Sequence, residues 1–169
     1  ENQIIENKDD FVNPNNITND LDSSSNETPL EEEIFIVKKL QSASPSLDQI
    51  EYLINTWLQK KGEYLAGRPE IDITAIAKES LIKRLRNDRR DDIKNNLIRN
   101  IETEIQNIEL ISQNSSRISV SVNLSYKEQI ISTNGKLIKE KSFNPYLNVK
   151  YILGFSKNSW KLADFVSGY

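Results

Sequence analysis

Paired carboxylates are the plausible acid–base route in this chain, because its 169 residues contain no His and no Cys. Imidazole, thiolate and disulfide chemistry are therefore excluded. The usual ligands for zinc and other transition metals are missing too. A serine triad cannot be assembled without His, and no S-x-x-K pattern stands out. Asn134-Gly135-Lys136 and Gly154 form no phosphate-cradling loop. No cofactor and no metal site is expected.

Asp164 is the most interesting acid. It shares strand parity with Trp160 and Leu162, so it is expected to point toward the apolar face. Tyr126 and Tyr151 fall on the apolar faces of their own strands. One cleft lined by Tyr126, Tyr151 and Asp164 is the expected site. As a catalytic centre it would need a carboxylate with a raised pKa and an orienting polar group. The plainer alternative is a solvated Asp164 near a strand end, with the tyrosines packed and their hydroxyls at the rim. Trp57 and Trp160 read as core residues. Lys83, Arg84, Arg86, Arg89 and Arg90 make a basic run, but Glu79, Asp88, Asp91 and Asp92 interleave with it. A solvated, charge-balanced helix face is the preferred reading.

Net charge is −3, from 22 basic and 25 acidic residues. That balance lacks the basic footprint of a general nucleic-acid binder. No apolar run approaches the ~20 residues of a membrane helix, and no signal peptide is visible. There is no Met either. The chain is accordingly expected to come from a longer protein, with any membrane anchor upstream of Glu1.

The elements that must position these side chains follow from patterning. Residues 1–43 are rich in Asn, Asp and Ser and are expected to be a disordered linker. Within them, residues 30–40 carry an element that reads equally as short helix or strand. Residues 44–169 form the expected domain. Ser46 and Gln49 make a capping box for a helix from Leu47 to Ala66. Ile50, Leu53, Ile54, Trp57, Leu58, Tyr64 and Leu65 recur on its core face, and Gly67 stands at its left-handed cap. A second helix is expected to start at Asp72 or Thr74, with a stripe of Ile73, Ile76, Ala77, Leu81 and Leu85.

After Asn96 the period changes to two. Ile101, Thr103 and Ile105 share one parity, whereas Ile108 and Leu110 share the other. This phase slip predicts a β-bulge near Gln106-Asn107. Ile118 to Tyr126 alternates cleanly. Asn134-Gly135 predicts a hairpin, Asn144-Pro145 an interruption, and Trp160–Phe165 a closing strand. Helices followed by strands give an α+β fold, with the N-terminal helices packed on a curved, cone-like antiparallel sheet.

A series of short matches adds a family resemblance. It begins with Leu53-Ile54-Asn55-Thr56-Trp57-Leu58-Gln59-Lys60-Lys61. It continues through Ile101 to Ile111, Arg117-Ile118 and the strand ending at Tyr126. It closes with Val149-Lys150-Tyr151-Ile152-Leu153 and Trp160-Lys161-Leu162-Ala163. From about Asp48 to Ala163 the chain resembles the C-terminal domain of cyanobacterial ZipN-type cell-division proteins and their chloroplast descendants. In the plant protein that domain lies in the envelope intermembrane space. The resemblance implies a non-catalytic domain that recognises the tail of a partner membrane protein. It further implies a soluble domain belonging to a membrane-anchored protein, without membrane insertion by this chain itself. Partner-binding residues are then expected at Tyr126, Tyr151 and Asp164. Two other readings remain open: a small-molecule or enzyme domain of cone-like fold with Asp164 in its cleft, and a terminal accessory domain of a kinase or chaperone-like protein.

Overall fold

A computed structural model describes residues 37–69 and 72–168, with the side chains of 144–146 left aside. Most of the expected linker, including much of the ambiguous element near 30–40, lies outside the described residues. From Val37 onward the chain engages the sheet. The Leu40 carbonyl accepts the Trp160 amide at 2.8 Å, and the Ser42 carbonyl accepts the Trp160 indole N–H at 3.0 Å.

Helix α1 spans Leu47–Leu65. Ser46 Oγ accepts the Gln49 amide and Gln49 Oε1 accepts the Ser46 amide, so two otherwise orphaned donors are satisfied reciprocally. Gly67 ends the helix at φ +95°, where a Cβ would be strained. The expected stripe is buried, with Trp57 at 1% exposure, except that Tyr64 is only partly buried against the core.

Helix α2 spans Glu79–Lys94 and starts later than its stripe suggests. Asp72 does not cap it. Its Oδ1 accepts the Thr74 amide at 2.9 Å and closes a local turn instead. The chain then pairs with the last strand: the Leu162 amide donates to Ile76 O at 2.7 Å, and the Lys78 amide donates to Leu162 O at 2.8 Å. Sheet pairing at Ile76–Lys78 thus overrides the helical spacing of Ile73, Ile76 and Ala77. The charged stretch Arg86–Asp92 continues the helix.

Four strands follow: β1 (Leu97–Gln113), β2 (Arg117–Ser132), β3 (Leu137–Ser156) and β4 (Ser159–Ser167). They form an open antiparallel meander in the order β1-β2-β3-β4. The α+β class and the helix-backed sheet are those expected from the sequence. The expected bulge is present, since the β1–β2 register shifts between Ile105 and Asn107. Asn144-Pro145 does not end β3. The β2–β3 register jumps from Leu124↔Leu147 to Tyr126↔Phe143, so an irregularity absorbs the missing proline donor. Gly135, at φ +87°, makes the β2–β3 turn. Lys157 and Asn158 are both left-handed, which suits a two-residue hairpin turn.

The helix-facing side of the sheet carries Ile118, Val120, Val122, Leu124, Val149, Tyr151, Leu153, Trp160 and Leu162, all buried. Both tryptophans belong to the core, as expected.

Candidate functional site

The alternation that builds the core also builds a pocket at one end of it. Leu124 and Tyr126 on β2, Phe143 and Tyr151 on β3, and Phe165 on β4 all face α1. From the helix come Trp57 and, one turn on, Lys61. Together with Leu58, Lys141, Leu147, Val149 and Ser167 they line a pocket of about 160 Å³. The rings pair across strands: Tyr126 with Phe143 and Tyr151 with Phe165, each at 5.9 Å between centroids.

Tyr126 and Tyr151 are thus brought together, as expected. Asp164 is not among the lining residues. The reason lies in the register. β4 pairs Leu162 with Leu153 but Asp164 with Ile152, so an irregularity at Ala163 moves the inward position from Asp164 to Phe165. Asp164 lies half-exposed outside, where its carboxylate accepts Arg84 at 3.1 Å and the Phe165 amide at 2.9 Å. It nonetheless touches the pocket wall indirectly, because the same Arg84 guanidinium lies 4.9 Å from the Phe165 ring centre.

Tyr126 is half-buried and its hydroxyl donates to the Glu128 carboxylate. Burial, reinforced by that acceptor and its charge, holds the Tyr126 hydroxyl well above the usual tyrosine pKa. Burial alone does the same for Tyr151. Both phenols are therefore neutral donors, not bases, near neutral pH. Glu128 in turn lies 3.7 Å from Arg99. Arg99 forks onto buried Asp92 through Nε at 2.7 Å and Nη2 at 2.8 Å.

Two ammonium groups face the aromatic walls. Lys61 Nζ lies 5.5 Å from the centre of Phe165 and Lys141 Nζ 4.7 Å from that of Phe143. Burial lowers the pKa of Lys61; Glu128 and Asp88 oppose that shift, while Arg99 and Arg84 add to it. The expected site contained neither lysine nor either phenylalanine. For Lys61 a signal existed: it stands four residues after Trp57, on the core side of α1. For Phe165 none existed, since its orientation depends on an irregularity between strands.

The basic run of α2 is charge-balanced, as its sequence suggested. Arg84 meets Asp164 and Arg86 meets Glu79. Arg89 donates to Leu97 O and Arg90 to Asn87. Among the described residues no cluster of three or more acidic side chains could hold a metal ion, and no helix is long and apolar enough to cross a membrane.

Comparison with known proteins agrees with the expected family. No curated protein sequence matches the chain at a significant level. Among solved structures, the crystal structure of the intermembrane space region of the chloroplast protein ARC6 superposes with a TM-score of 0.57 at 11% identity. The match covers 73% of this chain and 97% of that one. At that identity the match establishes the shared fold. The family model described as "ARC6-like, IMS domain" matches residues 51–163, about two thirds of the chain, including both tyrosines and the strands that carry them. The chain belongs to the ARC6-like IMS domain family.

Proposed function

We propose that this is a protein-binding domain that captures an extended segment, such as the tail of a membrane protein, within a cell-division-type assembly. The aromatic pocket between α1 and strands β2–β4 is the receiving site. The observation that carries this reading is its lining of paired rings, with tyrosine hydroxyls and lysine side chains among them. Such a surface offers apolar burial and directional donors, the two things peptide recognition needs. Family membership supports a place in the division machinery of a cyanobacterium or plastid, in a parent protein anchored to a membrane. Tyr126 and Tyr151 line the site, and Asp164 acts at its margin through Arg84. The small-molecule reading that relied on Asp164 inside the cleft has less support, because that carboxylate is half-exposed and ion-paired outside it.

The test uses the full-length parent protein in its own cells. A photo-crosslinking residue replaces Ser167 at the rim of the pocket or, as a control, Glu109 on the exposed face of β1. A discrete crosslink to one membrane protein from position 167, absent from 109 and weakened by Tyr126→Ser, is the expected result. Identical crosslinks from both positions, or none from 167, would overturn the proposal.

A further inference from the structure

The pocket's chemistry narrows what it accepts. Its lining holds four aromatic residues besides Trp57, several aliphatic side chains, and the ammoniums of Lys61 and Lys141, but no Asp or Glu. Among the described residues no carboxylate forms an ion pair with either lysine. Glu128, the acid whose charge acts most on Lys61, is already occupied by the Tyr126 hydroxyl and by Arg99. Lys61, half-buried over the Phe165 ring without a carboxylate ion-pair partner, is incompletely compensated, and Lys141 stands exposed over Phe143 at the pocket's mouth. A ligand that brings its own carboxylate supplies the missing partner. About 160 Å³ is close to the ~150 Å³ of an engineered apolar cavity that binds benzene.

We propose that this pocket is specific for a carboxylate attached to an aromatic or branched aliphatic group: the apolar part sits between the tyrosine and phenylalanine rings, and the carboxylate bridges Lys61 and Lys141. The proposal rests on the pocket being the partner site and adds what the partner must present there. An acidic side chain next to an apolar one provides this chemistry, and so does an apolar residue at a chain end. Lys61 gains most from such a ligand, because burial now disfavours its charged form and an adjacent carboxylate restores it. By reciprocity, the pocket discriminates against the neutral amide of the same shape.

Fragment binding followed by NMR tests this without any knowledge of the partner. The probes are 3-phenylpropionate and 3-phenylpropanamide, titrated into the full chain while the signals of Leu124, Val149 and Tyr151 are watched. The carboxylate is expected to bind at least tenfold more tightly than the amide. That preference should vanish in the Lys61→Gln/Lys141→Gln variant and survive in Lys61→Arg. N-acetyl-Phe-Glu-amide and N-acetyl-Gly-Phe with a free carboxylate, each against its neutral analogue, then separate the side-chain source from the chain-end source. A preference in either pair supports the proposal. Equal binding of acid and amide by the unaltered chain, or no shifts at the pocket, overturns it. If the carboxylate preference holds but the position-167 crosslinker finds no partner, the partner reading falls and the pocket chemistry stands.

Discussion

Replacing Arg99 by alanine should destabilise this domain more than replacing Asp92, its own ion-pair partner. The asymmetry comes from burial. Asp92 is 3% exposed, and both of its carboxylate oxygens are held by Arg99. The Arg99 side chain is 26% exposed and has a second carboxylate, Glu128, at 3.7 Å. Removing Arg99 strands a buried charge, which costs about 3 kcal/mol. Removing Asp92 leaves a guanidinium that keeps Glu128 and water, which costs about 1.5 kcal/mol. The double variant removes both charges and should cost about 2 kcal/mol, well short of the sum, because a deleted buried pair leaves nothing uncompensated. Urea unfolding measures all three. With a slope of about 1.5 kcal/mol/M, Arg99→Ala lowers the midpoint by roughly 2 M at unchanged slope. The reasoning is refuted if Asp92→Ala is the more costly single change, or if the two costs simply add.

Two further outcomes follow from the helix that carries the pocket. Gly62→Ala should stabilise the domain by about 0.4–1 kcal/mol by urea unfolding, since a Cβ there would lie 3.5 Å from Ile101 O, an ordinary contact, and alanine is the better helix former. Lys61→Met should raise stability at neutral pH, and the gain should shrink in titrations carried toward alkaline pH. The sign follows from linkage: the folded pKa of Lys61 lies below its unfolded value, so the folded state binds fewer protons between the two. The penalty of its charge is therefore full below the folded pKa and gone above the unfolded one, about 10.4. Glu128, Asp88, Arg99 and Arg84 are the charged groups that act on this amine. A gain independent of pH would locate the effect in packing alone.

What was legible in the sequence is what local physics decides. α1 could be bounded at both ends because its capping box, apolar stripe and Gly67 lie within one stretch of chain. The bulge at Gln106 showed as a change of parity inside one strand. The start of α2 was misplaced because Ile73, Ile76 and Ala77 keep helical spacing while their backbone serves the edge of β4 some 85 residues later. Asp164 was assigned to the cleft by strand parity, and only the β3–β4 register shows that Phe165 takes that place. The Asp92–Arg99 pair spans a helix–strand junction and leaves no periodic trace. Tyr126 and Tyr151 were found together because clean alternation carried each to the same face.

The charged helix α2 therefore has a role that neither its composition nor its solvated appearance suggested. Arg84 reaches one wall of the pocket, stacking on Phe165 while bonding Asp164. Asp92, eight residues further on, reaches the other wall through Arg99, Glu128 and the Tyr126 hydroxyl. Eight residues of helix span about 12 Å, so the two anchors brace opposite sides of the pocket from one rigid element. Each bridge is built from charge, and each ends on an aromatic ring that a ligand would touch. A sequence selected only for stability would favour apolar packing over Lys61 and over a buried Asp92–Arg99 pair, since such charges seldom add net stability. Their presence around one aromatic pocket supports the proposed binding role: it supplies fixed walls, and in Lys61 and Lys141 positive charge without a carboxylate ion-pair partner.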